Sequence, residues 1–473
     1  MSLNQDARSE LQLSLPVMTA PPTPSNAPKG SNAGEMRRFA YRHLAAEVSA
    51  TARFCDEVVQ LARLPHDDGL LLQLIDNSRK HCVDRAEELT DSDAQPGSES
   101  CRAILLNGNF NATEDIQGIL EQLHAHLHRS DRLFAVLYSP YAQWLFRLVT
   151  WLGLRRGPIP ETFVTETELR SLLRLSGFEI VRIRPSLFLP LSIPLVSRFL
   201  NSLLPATPLL NRLALTWIVV ARPLRKSESV PSLSIVIPAR NEKGNLEAAL
   251  RRMPEFATRD VEILFVEGHS TDGTWEEIQQ LLPQYADRWK LRAMQQPGKG
   301  KNDAVRLGFS QATGDLVTIL DADLTMPPEL LPRFYDAWRL GHGDFINGNR
   351  LVYPMEGEAM RRLNLLGNRF FAKALSVVLG VSIGDSLCGT KLLSRRDYQR
   401  TIAWRNQFGD FDPFGDFELL FAASELSLGI VDLPIRYRSR TYGSTNISRF
   451  RDGWLLLRMT IYGFFRLRLG RTR

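Results

Sequence analysis

The feature that most restricts this chain is the stretch from Leu233 to Thr325, where short apolar strands alternate with helices and each strand runs out into a polar loop. Leu233–Ile237 is apolar throughout but for Ser234, the pattern of a strand buried on both faces of a parallel sheet. A helix over 245–253, a strand over 261–266, helices over 274–282 and 301–312, and a strand over 316–320 follow in order. Such alternation predicts an α/β layer, and open α/β sheets place ligands where their strands end. The loops therefore carry the chemistry.

Three loops qualify. The first reads Ile237-Pro238-Ala239-Arg240-Asn241-Glu242, and the second Val266-Glu267-Gly268-His269-Ser270-Thr271-Asp272-Gly273-Thr274. The third, Leu320-Asp321-Ala322-Asp323-Leu324-Thr325, puts two carboxylates at i and i+2 just past an apolar strand. Asp321 and Asp323 can converge on one hard cation, Mg²⁺ or Mn²⁺, which keeps open positions for diphosphate oxygens. Two acids in a loop are ordinarily just solvated. Three strand-end loops of the right type, in order, outweigh that reading.

Together these residues resemble glycosyltransferase family 2 of the GT-A fold, over roughly residues 232–450. The resemblance is to its dolichol-phosphate mannose synthase and polyprenyl-phosphate glycosyltransferase branch. It implies that Pro238, Arg240 and Glu242 line a nucleoside pocket with Glu267 near the base, and that Asp321 and Asp323 hold the metal, Asp321 also facing the donor. The family commonly has Asp-Asp where this chain has Glu267-Gly268, and the branch often has Gln where Thr325 stands. Gly348-Asn349-Arg350 matches a Gly-Ser-Arg element, implying Arg350 near phosphate. Arg440-Thr441-Tyr442-Gly443-Ser444-Thr445 resembles an RxxGxSK loop with Thr445 in place of lysine, and Arg440 keeps the capacity for a bidentate phosphate contact. Gly298-Lys299-Gly300-Lys301 resembles the family's GKG turn, where amides and lysines favour an anion.

On the acceptor side the resemblance implies catalytic roles for Asp385 and Asp416, for which helix N-capping is the alternative. A hydroxyl acceptor needs a general base, whereas a lipid phosphate is already mostly ionised at neutral pH. The implied activity is inverting transfer of a hexose from a GDP- or UDP-sugar to a membrane polyprenyl phosphate. A soluble or polysaccharide acceptor, or a scaffold without activity, are the alternatives.

The first half reads as a second α/β unit. Residues 1–35, with Pro21-Pro22-Thr23-Pro24, predict a disordered leader, 36–90 look helical, and 90–100 predict a loop. Strands are expected at Arg102–Asn107, Arg132–Tyr138, near Glu179–Ile183 and at Leu215–Ala221, with helices at Glu114–Leu127 and Glu166–Leu175; a linker from Arg222 to Pro231 closes the unit. Ala103-Ile104-Leu105-Leu106-Asn107-Gly108, Leu173-Arg174-Leu175-Ser176-Gly177-Phe178-Glu179 and Val219-Val220-Ala221-Arg222-Pro223 resemble the carboxyl-terminal part of a class I methyltransferase. Residues 36–100 hold no GxGxG. Without small residues the backbone cannot approach a cofactor, so a partial Rossmann-like, degenerate and non-catalytic domain spanning 36–222 is expected.

Charge and cysteines complete the reading. Residues 449–473 carry seven arginines against one acid, Asp452, which alone equals the net charge of +6. A general basic surface for nucleic acid is therefore unsupported. Trp454–Leu469 is apolar but interrupted by Arg458, Arg466 and Arg468, the pattern of an interfacial helix on an anionic membrane, or of a helix docked on its own domain. Four scattered cysteines suit a reducing compartment, and no run of 18 apolar residues exists. A cytoplasmic protein, peripheral at the inner face of the cell membrane, is expected.

Overall fold

Alternation of short apolar runs with helices produces two separate, mostly parallel sheets. The structure, a computed structural model, describes residues 32–89, 100–151, 160, 162–207, 210–354, 362–409, 412, 415–438 and 449–469. The expected leader falls almost wholly outside these residues. The first sheet contains β1 (Glu57–Leu61), β2 (Lys80–Val83), β3 (Arg102–Asn107), β4 (Arg132–Tyr138), β5 (Phe178–Ser186) and β6 (Thr216–Pro223), in the order β2-β1-β3-β4-β6-β5. Only β6 runs against its neighbours.

The second sheet contains β7 (Leu233–Ala239), β8 (Val261–Glu267), β9 (Lys290–Gln295), β10 (Leu316–Ile319), β11 (Phe345–Asn349), β12 (Lys391–Ser394) and β13 (Ile430–Pro434). Their order is β13-β11-β12-β10-β7-β8-β9, with β12 the reversed strand. Leu233 pairs with Val261 on one side and Leu316 on the other, so β7 lies inside the sheet. Its alternate residues enter two different cores: Val236 packs with Phe309 and Phe421, while Ile235 and Ile237 pack with Phe334 and Ile278. Burial on both faces is why this strand reads as an apolar run.

Two expectations are corrected, and one strand escapes the sequence pattern. The region 36–90 is not helical throughout. After the helix Asn32–Ala52 it holds two parallel strands, β1 and β2. Strand β9 has the sequence KLRAMQ, half-exposed at the sheet edge, and lacks the apolar run that marks its neighbours. Strand β6 continues through Pro223, so Arg222 is a fully buried strand residue and not part of a linker.

Arg222 marks where the two sheets' units meet. Arg132 Nη2 donates to Asp344 at 2.8 Å, and Arg129 Nε and Arg222 Nη1 reach the same carboxylate at 3.3 and 3.4 Å. Arg129 also stacks on Trp338, 3.6 Å from the ring centre. Burial disfavours the Asp344 carboxylate, but the three guanidiniums and the Gly429 amide outweigh this and hold its pKa far below the usual range. Asp344 immediately precedes β11.

Candidate active site

Strands β10, β7 and β8 are adjacent and parallel, so the three polar loops open on one edge of the sheet. The β10 loop is a tight turn. Leu324 N donates to Asp321 O at 3.2 Å, and Leu324 adopts a left-handed φ of 54°. Asp323 Oδ1 accepts from Thr325 N at 3.1 Å and Thr325 Oγ1 at 2.8 Å, an Asx turn that fixes the buried carboxylate. Asp321 is more open, at 28% side-chain exposure, and pairs with Lys301 at 2.5 Å.

Lys301 begins the helix Lys301–Gln311, after Gly300 at φ 91°. Burial works against its charge, but Asp321, Asp416 and Asp323 together raise its pKa above the ordinary lysine value. Conversely, burial disfavours the Asp321 carboxylate, and Lys301, Lys391 and Arg350 bring its pKa below the usual range. A Cβ on Gly389 would collide with both Lys301 Nζ and Asp321 Oδ2, so this position must lack a side chain for the pair to meet. The group is a compact alternation of carboxylates and cations, with Gly389 against it.

Asp385 and Asp416 are both partnered. Arg350 donates to Asp385 through Nε at 2.7 Å, Nη2 at 2.9 Å and its own amide at 3.1 Å. Burial disfavours the Asp385 carboxylate, and the Arg350 guanidinium overrides this to hold its pKa low. The guanidinium also lies 5.3 Å from the Tyr437 ring centre. Asp416 opens the helix Asp416–Glu425 and accepts from the fully buried Lys391 Nζ at 2.7 Å. Capping of that helix falls instead to Asp412, whose Oδ2 accepts from the Phe417 and Glu418 amides, each at 2.8 Å.

The β7 and β8 loops are tied together. Asn241, at φ 56°, donates its amide to Ser270 Oγ at 3.0 Å and accepts from Thr271 N at 2.9 Å. Glu242 N donates to Thr274 Oγ1 at 3.0 Å, while its carboxylate accepts from Asn245 Nδ2 at 2.7 Å. Glu267 accepts from Ser270 N at 2.5 Å and Gln295 Nε2 at 3.1 Å. Burial would raise its pKa, but these hydrogen bonds leave it lowered. Pro238 is half-buried and Arg240 exposed on the same edge.

The structure thus brings Asp321, Asp323 and Asp416 together around Lys301 and Lys391, with Arg350 and Asp385 joined beside them. Pro238, Arg240, Glu242 and Glu267 lie on the two neighbouring strand ends. Arg440 lies outside the described residues. Sequence reasoning passes over Lys391 and Tyr437, and reaches the loops of Gly389 and Asp412 without giving those two residues a role. A lysine opening the apolar strand β12 was the available signal for the first, because a buried ammonium requires a carboxylate.

Asp321 and Asp323 form an oxygen-only donor pair that suits a hard cation taking its remaining ligands from water and phosphate. Among the described residues no group of three His, Cys, Asp or Glu side chains could hold a metal without such outside ligands. Lys301 competes for the same Asp321 carboxylate.

In the first sheet's unit, a cavity of about 510 Å³ opens at the carboxyl ends of β1, β3 and β4, lined by Tyr41, Asp67, Asn107 and Tyr138 among others. The loop after β1 is closed by Asp67, which accepts from Gln60 Nε2 at 2.6 Å, Asn107 Nδ2 at 2.9 Å and the Gly69 amide at 2.9 Å. Side-chain hydrogen bonds shape this loop where a glycine-rich turn would use bare backbone.

Residues 234–401 match the family model "Glycosyl transferase family 2". Relatives match up to half of the chain. The low-salt glycan biosynthesis hexosyltransferase Agl6 of Haloferax volcanii is 29% identical over 239 residues, 50% of this chain and 54% of that protein. A dolichyl-phosphate hexose transferase of the same organism is 28% identical over 221 residues, 47% of this chain and 89% of the relative. A dolichol-phosphate mannosyltransferase of Pyrococcus furiosus is 36% identical over 121 residues, 25% of this chain and 33% of the relative. The chain thus spans about half the length of the first relative and a third of the last.

Proposed function

We propose that this chain, whose carboxyl-terminal half is a glycosyltransferase family 2 domain of the dolichol-phosphate mannosyltransferase-like type, transfers a hexose from a GDP- or UDP-sugar to a polyprenyl phosphate at the inner face of the cell membrane. The observation that carries the reading is the pair Asp321 and Asp323 at the carboxyl end of β10, set among Lys301, Lys391 and Asp416. Asp321 and Asp323 would hold Mg²⁺ or Mn²⁺, which when bound neutralises the diphosphate as the nucleotide departs. Pro238, Arg240, Glu242 and Glu267 would line the nucleoside pocket, and Arg440 would contact phosphate.

In the reaction an acceptor phosphate oxygen forms a bond to the sugar's anomeric carbon from the face opposite the diphosphate. The carbon–oxygen bond to the diphosphate breaks, the nucleoside diphosphate leaves, and the configuration inverts. Lys301 holds positive charge beside Asp321, where the diphosphate would approach. Asp385 is a poor general base, because its carboxylate is locked to Arg350 and its pKa is depressed. An acceptor that arrives as a phosphate anion needs no base, and this supports a lipid phosphate over a hydroxyl. Asp385 then orients Arg350, and Asp416 orients Lys391. The relatives named for dolichyl phosphate support the same acceptor.

The test is a panel of GDP- and UDP-sugars with extracted polyprenyl phosphate, with and without divalent metal. Sugar is expected in the organic phase from one donor, lost on chelation and lost in Asp323→Ala. Transfer to no lipid phosphate from any donor, while a soluble saccharide is extended, would reject the acceptor assignment.

A further inference from the structure

Large apolar side chains are exposed in stripes on four helices, two from each half of the chain. On Gln143–Trp151 the exposed residues Trp144, Leu148 and Trp151 follow i, i+4, i+7, one helical face. On Val196–Leu203 and the residue before it, Leu195 and Phe199 are 84% and 62% exposed. Leu366 and Phe370 repeat the pattern on Arg362–Leu379. Trp454, Ile461 and Phe465, spaced seven and four, share a face of the last helix and the turn that follows it. Isolated exposed apolar residues are ordinary, but four aligned stripes are not.

The stripes are contiguous through packed elements. The helix Gln143–Trp151 continues the turn Pro140–Ala142, which packs on Leu210–Leu213, and that segment packs on Leu204–Ala206, the extension of Val196–Leu203. Val196–Leu203 packs on the final turn Phe465–Leu469, which packs on Arg362–Leu379, as does the last helix Arg449–Phe464. Arg468 closes the junction, donating to the Val378 and Val377 carbonyls at 2.9 and 2.7 Å.

Charge indicates what covers this belt. Residues 132–160, 180–227, 359–384 and 453–473, which contain all four stripes, hold not one of the chain's 52 acidic residues. Six cations among the stripes are exposed: Arg147, Arg212, Arg369, Lys373, Arg458 and Arg466. Aromatic and aliphatic side chains interleaved with arginine, and stripped of carboxylates over both halves, match a planar anionic surface with an apolar interior. No described helix is long and apolar enough to cross a membrane. The opposite face of the last helix is already used: Leu456, Met459 and Leu467 are buried in the domain core.

We infer that the first half of the chain is a membrane-seating module, whose helices Gln143–Trp151 and Val196–Leu203 lie in the headgroup region of an anionic bilayer alongside Arg362–Leu379 and the last helix. This deepens the membrane association proposed above. Vesicle binding is measured without any sugar transfer, so the two readings fail separately.

The test is flotation of the full chain with phosphatidylcholine vesicles and with vesicles that also contain phosphatidylglycerol. The wild-type chain is expected to float with the anionic vesicles and to be released by salt. Trp144→Ser/Trp151→Ser/Phe199→Ser should lower partitioning by on the order of tenfold or more, since each change removes a large apolar group from the interface. Its metal-dependent donor hydrolysis should be unchanged, because none of the three residues lies near the strand-end site. Arg147→Glu/Arg212→Glu, which keeps every apolar residue of the stripes, should lose only the preference for anionic vesicles. Wild-type chain that stays unbound with both vesicle types would overturn the inference. So would a triple variant that floats as well as wild type, or a solution dimer that the triple variant converts to monomer while vesicle binding stays unchanged.

Discussion

Among single residues, Lys301 has the sharpest consequence. Its ammonium is paired with the more open of the two acids proposed to hold the metal, at 2.5 Å, so cation and metal compete for one carboxylate. A partly exposed pair of this kind contributes about 1 kcal/mol at most. Lys301→Met should therefore tighten Mn²⁺ binding a few-fold by titration calorimetry, and should weaken nucleotide-diphosphate binding, which loses a positive charge. Equal or weaker Mn²⁺ affinity in the variant would mean that the metal does not use Asp321. Arg350 differs in kind. Its partner Asp385 is fully buried, and removing either alone would strand a charge in the core.

At the scale of elements, the site depends on how closely the segment before β12 approaches the turn after β10. Gly389 permits that approach, and Gly389→Ala would place a methyl group against Lys301 Nζ and Asp321 Oδ2. The lysine end can swing away, whereas the Asp321 backbone is held by its turn, so its carboxylate can give way only by rotating out of the pair. The expected outcome is a loss of turnover of at least tenfold with a change in melting temperature of only a few degrees. A fully active variant would show that the pair is not part of the working site. The same elements explain what could be read beforehand. β7 and β10 are legible because both faces are buried and the run is apolar. Val58 and Leu61 are three apart, a spacing that fits a helix, so the sequence of β1 reads as helical; the parallel pairing that makes it a strand comes from β2 and β3, remote in sequence. The Asp321 and Asp323 motif was legible because it is local. Lys391 and Asp416 were not joined, since their 2.7 Å contact spans 25 residues and two elements.

For the whole molecule, the decisive contact is the one carboxylate on which three arginines of the first half converge. Asp344 is buried, accepts from Arg132, Arg129, Arg222 and the Gly429 amide, and leads directly into β11, whose end carries Arg350. Asp344→Asn keeps the shape but takes the shared counter-charge from Arg129 and Arg132 and leaves Arg222 with Glu179 alone, a change that costs about 3–5 kcal/mol where a buried pair is broken. The pH dependence has a definite sign. The folded carboxylate has a pKa well below the ordinary 3.8, so its contribution is complete above that value and is lost only as pH falls below it toward the folded pKa. Urea unfolding of wild type and variant should therefore differ by a constant amount from neutral pH down to about pH 5, and the gap should narrow only in stronger acid. If the gap instead closed between pH 7 and 5, the carboxylate would not be the group responsible. Because the strand after Asp344 positions Arg350, the variant should also lose transfer activity at neutral pH while each half keeps its own core. On this reading the first half bears on the proposed transfer site through Asp344 and the strand after it, from whose end Arg350 reaches Asp385.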